Sequence, residues 1–321
     1  MFRKSYLGGK TCSHILMMVC CMLIMLTAVV QADESTEKSK WRLDAMPGAV
    51  FPRSMRFMTD EYTQSMDPVP SRQGLEKLRC SASAEFSGSG LSLIRDKIYS
   101  QAGKDAVIYV VDLRKESHGF INGEIPVSSY EKRNWGNYDL SPAEVPQVET
   151  VLLQAIEGQE ITFVPMGKTD TKILTACTVR VGLAESEEAL AARLGLHYKR
   201  IPIVDQTAPT DENIDDFMAF YASLPPKAWL HFHCHAGHGR TTTFAVFYDI
   251  LCNPDVALGD IVARQYALGG KYLFDVSGKD NWKTEEARKR AHQVCKFYEY
   301  VQANRSTNFI KSFSQWGKEA E

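Results

Sequence analysis

Residues 233–241, which read His-Cys-His-Ala-Gly-His-Gly-Arg-Thr, constrain the fold of this chain more than any other segment. Cys234 and Arg240 are separated by five residues, two of which are glycines. When a loop of this length bends around an anion, it turns successive backbone N–H groups inward, and glycine permits the required backbone angles. The apolar stretch 227–233 predicts a buried strand before the loop, and the stretch 241–252 predicts a helix after it. We therefore expect a strand, an anion-binding loop and a helix in succession.

The residue types in this loop suit phosphate chemistry. Arg240 can bind two phosphate oxygens through its planar guanidinium. Inward-pointing amides, a helix N-terminus and neighbouring cations all favour the thiolate form of Cys234. A thiolate beneath a bound phosphate is in line to attack phosphorus, so the sequence predicts a nucleophile here rather than a buried structural cysteine.

Histidines around the loop raise the alternative of a zinc site. His231 and His233 share one face of the predicted strand, and imidazoles beside a thiolate can bind zinc. A loop that holds phosphate turns its backbone inward rather than its side chains, and no carboxylate cluster is close in sequence. We therefore expect no metal and no cofactor. His235 and His238 are expected to contact substrate and to gain charge as the pH falls.

The segment His-Cys-x-x-Gly-x-Gly-Arg-Thr resembles the signature of the cysteine-based phosphatases, which include protein tyrosine and dual-specificity phosphatases. Further segments resemble the bacterial tyrosine-phosphatase-like inositol polyphosphatases, often called cysteine phytases. These segments are residues 112–119, 209–215, 224–225, 228–234, 239–242, 253–254, 269–270 and 279–284. The resemblance extends from about residue 50 to about residue 305.

The resemblance implies an α/β fold with a central, mostly parallel sheet flanked by helices, and a small inserted β-rich domain. The phosphatase core is expected over residues 48–118 and 182–321, and the insertion over residues 119–181, with approximate boundaries. The implied activity is a phosphomonoesterase that hydrolyses myo-inositol polyphosphates such as phytate through a cysteinyl-phosphate intermediate. Alternatives are a secreted protein tyrosine or dual-specificity phosphatase, a phosphoinositide phosphatase, and an inactive phosphate-binding module.

The resemblance also implies roles for residues around the nucleophile. Asp205 follows a short apolar strand about thirty residues ahead of Cys234, where the family carries a mobile loop with the general acid. Asp211 is the alternative, although it falls at a predicted helix start, where its charge would complement the helix dipole. Thr241 is expected to hydrogen-bond the departing sulfur. Gln206 stands where relatives often carry histidine, so the sequence does not determine the charge or the pKa of the surroundings of Asp205.

Substrate binding is assigned to the loop and to cations outside it. The loop residues expected to contact substrate are His235, Ala236, Gly237, His238, Gly239 and Arg240. By resemblance, Arg56, Lys283 and Arg290 match positions that bind peripheral phosphates. Lys168 and Lys172 are further candidates, although the sequence does not fix the direction of their side chains.

Residues 1–32 have the pattern of a secretion signal, with three basic residues before an apolar run over 15–30. We expect cleavage after Ala32, a flexible leader over 33–47, and a secreted or periplasmic protein without stable membrane insertion. An uncleaved membrane anchor is the alternative. Cleavage would remove three basic and no acidic residues from the chain's 37 basic and 39 acidic ones, leaving a net charge of −5. That charge argues against a nucleic-acid partner and favours a small polyanionic substrate held by a local basic pocket.

The cysteines that remain after such cleavage are few and scattered, so the sequence predicts no disulfide framework. Export to an oxidising compartment would still expose the activated Cys234. One hypothesis is that Cys252 protects it in a reversible disulfide. The alternative is that Cys252 simply packs on its helix.

Overall fold

The computed structural model describes residues 40–320. The strands are β1 (Lys40–Leu43), β2 (Arg56–Phe57), β3 (Cys80–Ser83), β4 (Val107–Arg114), β5 (His118–Ile121), β6 (Ile125–Tyr130), β7 (Glu160–Phe163), β8 (Cys177–Arg180), β9 (Ala184–Glu185), β10 (His197–Ile203) and β11 (Ala228–His233). The helices are α1 (Gly88–Ala102), α2 (Val145–Gln154), α3 (Asp170–Ile173), α4 (Glu187–Arg193), α5 (Asp211–Ser223), α6 (Gly239–Cys252), α7 (Leu258–Ala267), α8 (Trp282–Asn304) and α9 (Phe313–Ala320). Short 3-10 helices in this range lie at Leu75–Lys77, Lys132–Asn134 and Arg305–Thr307.

The central sheet has the strand order β10-β4-β11-β3-β2. Its pairings are parallel except that of β2 with β3, which is antiparallel. Every residue of β11 is buried, as expected for a parallel strand with both faces covered. Leu230 and Phe232 pack into the larger hydrophobic core, which holds buried residues of α5, α6 and α8, and Trp229 packs into a second core with residues of α1 and α4. The predicted α/β fold with a mostly parallel sheet between helices is confirmed.

The carboxyl ends of three parallel strands meet at one edge of this sheet. The last residue of β11, His233, lies opposite Asp112 near the end of β4, and Ile203 at the end of β10 lies opposite Arg114. The loops that follow these strands therefore lie side by side, at the edge where α/β proteins bind ligands.

Two helices that the sequence predicts are present. The helix after the anion loop is α6, which begins at Gly239 rather than at residue 241. The predicted helix after residue 210 is α5, and Thr210 caps it through a capping box with Asn213. Ile214, Phe217 and Phe220 are buried on its inner face, as their spacing predicts.

A smaller sheet with the order β1-β6-β5-β9 lies outside the central sheet, together with the β7–β8 hairpin. Their apolar residues, with Leu153 of α2, form a third hydrophobic cluster. The sequence predicts this β-rich element over residues 119–181, but its sheet also takes in β1 and β9, which lie outside those bounds. The domain boundaries stay a prediction.

The predicted leader over 33–47 needs correction at its C-terminal end. Lys40–Leu43 forms the edge strand β1, and Arg42, Leu43 and Asp44 are buried. A polar composition suggested a solvated leader, but the charge of Arg42 is matched by Asp44 at 2.7 Å. Residues 33–39 and the predicted signal over 1–32 lie outside the described residues. Within residues 40–320, the helices are too short or too polar to cross a membrane.

Candidate active site

The backbone of the loop after β11 is arranged as an anion nest. The carbonyls of His235, Ala236 and Gly237 accept outward hydrogen bonds, from the Glu85 amide at 3.3 Å, the Ser54 hydroxyl at 3.3 Å and the Arg56 guanidinium at 3.1 Å respectively. In a trans peptide unit the N–H points opposite to the C=O. The N–H groups of the residues that follow, Ala236, Gly237 and His238, therefore point into the loop, where they can bind an anion.

Gly237 is the residue that this close packing requires. Its φ is +71°, in the left-handed region that side chains disfavour. A Cβ built on it would lie 2.5 Å from the Ala84 nitrogen and 2.6 Å from the Ser83 carbonyl carbon. Any other residue would push the loop away from β3.

Cys234 lies at the base of this nest and is 3% exposed. The Thr241 hydroxyl donates to its sulfur at 3.0 Å. Burial alone would raise the pKa of the Cys234 thiol, but the Arg240 guanidinium and the Thr241 hydroxyl outweigh burial and hold the pKa below its usual value. The thiolate needed for a nucleophile is thus favoured by the loop itself.

Arg240 is fixed in place by Glu116, from the loop after β4. Its Nη1 donates to Glu116 Oε2 at 2.8 Å and to the Ile203 carbonyl at 3.1 Å, and its Nη2 donates to Glu116 Oε1 at 3.2 Å. The buried carboxyl group of Glu116 has a lowered pKa, because Arg240 and Arg114 overcome the cost of its burial. Glu116 therefore lies directly behind the arginine.

Asp205 lies in the loop after β10, and its side chain contacts Arg240. Its Oδ1 lies 2.9 Å from Arg240 Nη2, and Asn134 Nδ2 donates to its Oδ2 at 3.4 Å. The indole of Trp135 donates to its backbone carbonyl at 3.0 Å. The alternative, Asp211, instead accepts from Gln293 at 2.8 Å, away from the loop. The structure therefore brings Asp205, and not Asp211, to Arg240 and Cys234.

A cavity of about 670 Å³ opens above the loop. Its wall includes Arg42, Arg53, Tyr130, Arg133, Asn134, Met166, Gly167, Lys168, Thr169, Asp170, Asp205, Gln206, His235, Ala236, His238, Trp282 and Lys283. Lysine and arginine side chains on this wall outnumber the two carboxylates, so the cavity suits an anionic ligand. Of the residues predicted to bind substrate, His235, Ala236, His238, Lys283 and Lys168 line it.

Arg56 and Arg290 do not line the cavity, and neither do Gly237, Gly239 and Arg240 of the predicted substrate-binding set. The predicted contacts of Arg56 and Arg290 with peripheral phosphates stay predictions. Arg56 is 1% exposed and donates to the carbonyl of Gly237 and to the hydroxyl of Thr242. Arg290 is 4% exposed and lies against Gly239, where a Cβ would approach its guanidinium to 3.3 Å. Both side chains point inward and support loops rather than face the cavity.

Arg290 in particular joins the two loops that carry the chemistry. Its Nη2 donates to the carbonyls of Gln206 and Thr207, at 3.0 and 2.8 Å, while its guanidinium packs on the phosphate loop. It therefore ties the segment after Asp205 to the start of α6. Lys172, on α3, is exposed and is not part of the cavity wall.

The two loop histidines differ in their surroundings. Burial lowers the pKa of His235, but Asp44 and Asp170 outweigh it and the pKa is raised; the distance from His235 Nε2 to Asp170 is 3.2 Å. For His238, burial together with Arg56 and other cations lowers the pKa. His238 therefore gains charge only at a more acidic pH than an ordinary histidine.

Buried carboxylates lie close to His233 in space, although none is close to it in the sequence. Among the described residues, two groups bring possible metal ligands within 4.8 Å: Glu85, Glu187 and His233, and Asp112, His118 and Glu187. Burial alone would lower the pKa of His233, but Glu187 and Glu85 hold it well above its ordinary value. A protonated imidazole offers no lone pair to a metal. The expectation of a metal-free site stays a prediction.

Arg114 completes this buried network of charges. It is fully buried and lies 2.9 Å from Asp44 and 3.0 Å from Glu116, and it also pairs with Glu85. These contacts make Arg114 the centre of a structural network of ion pairs. Glu116 pairs with Arg114 and also with Arg240. The buried ion pairs therefore fix the position of Arg240, the arginine expected to bind phosphate.

A disulfide between Cys234 and Cys252 does not fit the fold. Cys234 precedes the first turn of α6, and Cys252 is its last residue. A helix of 14 residues is about 20 Å long, whereas the Cα atoms of a disulfide lie within about 7 Å. The hypothesis of a protective disulfide is therefore wrong for the folded protein.

A cysteine sulfur beneath an amide nest, an arginine beside it and a carboxyl group close to that arginine, all at the carboxyl edge of a parallel sheet, define the class of cysteine-based phosphatases. A family model for PTP-like phytases, described as "Inositol hexakisphosphate", matches residues 111–252. The structure is similar to that of a PTP-like phytase from Bdellovibrio bacteriovorus, with 30% identity, 87% of this chain and 94% of that chain covered, and a TM-score of 0.69. This chain belongs to the PTP-like phytase family, as its motifs predict.

Other relatives are longer than this chain. The tandemly repeated PTP-like phytase of Mitsuokella multacida matches with 39% identity and a TM-score of 0.80, over 86% of this chain and 48% of that one. A structure of the PTP-like myo-inositol phosphatase from the same organism, in complex with myo-inositol-(1,3,4,5)-tetrakisphosphate, matches with 38% identity and the same TM-score and coverage. The effector protein hopD2 of Pseudomonas syringae pv. tomato is 23% identical over 91% of this chain and 63% of its own length. The chain thus spans about half of the Mitsuokella protein and less than two thirds of hopD2.

Proposed function

We propose that this chain is a phosphomonoesterase that hydrolyses myo-inositol polyphosphates, phytate among them, through a cysteinyl-phosphate intermediate. The observation that carries the proposal is the cation-lined cavity of about 670 Å³ whose wall includes Asp205 and, from the loop between Cys234 and Arg240, His235, Ala236 and His238. A single phosphate would need only the nest and Arg240. The additional cations on the wall suit a substrate with several phosphates. Membership of the PTP-like phytase family supports the same conclusion.

In the first step, the Cys234 thiolate attacks phosphorus and forms the S–P bond. The nest amides and Arg240 bind the phosphate oxygens, whose charge they stabilise in the transition state. The bond between phosphorus and the inositol oxygen breaks at the same time. Protonated Asp205 gives its proton to that oxygen, because an inositol alkoxide is a poor leaving group.

In the second step, the Asp205 carboxylate takes a proton from water. The water oxygen attacks phosphorus, the S–P bond breaks, and inorganic phosphate is released. Thr241, whose hydroxyl lies 3.0 Å from the sulfur, stabilises the departing thiolate. Every group needed for both steps is a side chain or amide of this chain.

Secretion or export to the periplasm, with cleavage after Ala32, is also part of the proposal. Its support is the sequence pattern of residues 1–32. Intact-mass measurement on protein recovered from the periplasm or the medium should give a chain that begins at Asp33. A full-length chain recovered from the membrane fraction would contradict this part of the proposal.

The function is tested by phosphate release from phytate and from a phosphotyrosine peptide, side by side, between pH 4 and pH 7.5 with EDTA present. We expect kcat/KM for phytate to exceed that for the peptide by more than about tenfold. A tenfold ratio corresponds to about 1.4 kcal/mol in transition-state stabilisation. The preference should survive the chelator, and C234S should release no phosphate from either substrate. A preference for the peptide would assign the chain to the protein phosphatases instead.

A further inference from the structure

The cavity wall contains cations whose charge is not compensated within the protein. The side chains of Arg133, Lys168 and Lys283 make no hydrogen bond and no ion pair with any residue in the described range 40–320. Arg42 and Arg53, on the same wall, each pair with a carboxylate at 2.7 and 3.0 Å. The three unpaired cations are thus available to a ligand. Arg133 differs from the two lysines in the number of rings that it contacts: Lys283 Nζ lies over the ring of Trp282 alone, at 5.5 Å, whereas Arg133 lies over two rings.

Two tryptophans hold the guanidinium of Arg133. Its Cζ lies 5.0 Å from the ring centroid of Trp135 and 4.9 Å from that of Trp282. The two indoles meet edge to face, with centroids 5.3 Å apart and planes at 82°. Indole is the aromatic group that attracts cations most strongly, and a guanidinium held by it loses little further freedom on binding a ligand. The two indoles restrict the position of the Arg133 guanidinium, and its N–H groups remain available to donate hydrogen bonds to a ligand.

The backbone at this point is held in an unusual conformation. Arg133 and Asn134 have φ values of +65° and +62°, in the left-handed region, which costs about 1 kcal/mol for each non-glycine residue. Such a conformation persists only where neighbouring contacts impose it. Here the Asn134 amide donates to Glu116 at 3.1 Å and to Asp205 at 3.4 Å, and the Trp135 indole donates to the Asp205 carbonyl. Arg133 is therefore fixed relative to the proposed general acid.

We propose that Arg133 is a specificity-determining residue that binds a phosphate of the substrate other than the one being hydrolysed. This rests on the proposed function, since it presumes a substrate with several phosphates. The planar guanidinium binds phosphate through two parallel N–H···O bonds, while the indoles hold its faces. Sequence reasoning missed Arg133, because the partner ring of Trp282 lies far away in the chain.

The test compares phytate with p-nitrophenyl phosphate, which has a single phosphate. We expect Arg133→Ala to lower the ratio of kcat/KM for phytate to that for p-nitrophenyl phosphate by about tenfold or more, as for the loss of a charge-assisted hydrogen bond. Arg133→Gly removes the same guanidinium and tolerates the positive φ, so it serves if the alanine variant is unstable. Arg133→Lys should recover only part of the ratio, because an ammonium lacks the planar fork.

Lys132→Ala is the matched control, because Lys132 is an adjacent exposed cation outside the cavity wall. It should leave the ratio as in the wild type. The inference is overturned if both Arg133→Ala and Arg133→Gly keep the wild-type ratio. That includes the case in which kcat/KM for phytate and kcat/KM for p-nitrophenyl phosphate fall by the same factor. If Lys132→Ala lowers the ratio as far as Arg133→Ala does, general charge rather than Arg133 is responsible, and the inference fails. A wild-type enzyme without a preference for phytate would overturn the proposed function itself.

Discussion

Replacement of Asp205 by asparagine tests which carboxyl group protonates the leaving oxygen. Asparagine keeps the size of the side chain, and its amide oxygen can still accept from Arg240, whose Nη2 lies 2.9 Å from Asp205 Oδ1. It has no acidic proton to give to an alkoxide. The variant loses the charge that pairs with Arg240 and weakens the 3.4 Å hydrogen bond from Asn134, but Arg240 keeps its ion pair with Glu116, so the cost to the fold is about 1–2 kcal/mol. The variant should therefore fold and bind substrate while lacking the acid.

The expected loss follows from the chemistry of the leaving group. General acid catalysis contributes about 10²–10⁴-fold, which corresponds to about 3–5 kcal/mol in the barrier. For phytate the leaving alkoxide is poor, so we expect kcat for Asp205→Asn to fall toward the upper end of that range. Nitrophenolate departs without protonation. The loss for p-nitrophenyl phosphate should therefore be smaller, under about tenfold.

The assay is steady-state kinetics on both substrates, with Asp211→Asn as the matched control. Asp211 pairs with Gln293 and Lys296 at the start of α5, and its side chain does not line the cavity. Its substitution should lower stability by about 1 kcal/mol or less and leave kcat near the wild-type value. Equal losses on both substrates for Asp205→Asn, or a large loss confined to phytate for Asp211→Asn, would refute the assignment of the acid.

Further predictions concern the loop and its support. Thr241→Val should raise the pKa of Cys234, because the donor to its sulfur is lost, and the pH midpoint of iodoacetamide alkylation should move upward; an unchanged midpoint would contradict the role of the hydroxyl. Gly237→Ala should lower kcat/KM by about 100-fold, because the added Cβ meets the Ala84 nitrogen at 2.5 Å and displaces the nest amides; near-normal kinetics would contradict this. The pKa of Glu116 is lowered in the folded state, so its stabilising contribution is present above its unfolded value of about 4.3 and is lost as the pH falls. The Tm should therefore drop progressively as the pH falls below about 5, and Glu116→Gln should flatten that dependence while lowering the Tm at neutral pH.

Much of the fold and the centre of the site could be predicted from local sequence. The strand, loop and helix around Cys234 depend on apolar periodicity and on glycines, which act over a few residues. The position of Asp205 was implied by the family resemblance, and the topology explains it, because the carboxyl ends of β10 and β11 lie at the same edge of the sheet. These features need no knowledge of which distant side chains meet.

The direction of a side chain could not be predicted from the sequence. Arg56 and Arg290 were expected to bind peripheral phosphates, and the sequence did not indicate that both are buried and donate to backbone carbonyls, of Gly237 for Arg56 and of Gln206 for Arg290. A motif match gives the position of a cation and not the acceptor that it meets. Likewise, Glu85 and Glu187 are far from His233 in the sequence, so their proximity follows only from the packing of β3, β11 and α4.

The proposed general acid and the cavity wall share their supports. Asn134 and Trp135 donate hydrogen bonds to Asp205. Arg290 donates to the carbonyl of Gln206, the next residue, and packs against Gly239 of the loop that follows β11. Arg133 lies in the same short segment as Asn134 and Trp135. A phosphate bound to Arg133 therefore stabilises the segment that positions Asp205, so part of its binding energy is available to the chemical step rather than to ground-state binding alone. For this reason the loss in Arg133→Ala should fall on kcat as well as on KM.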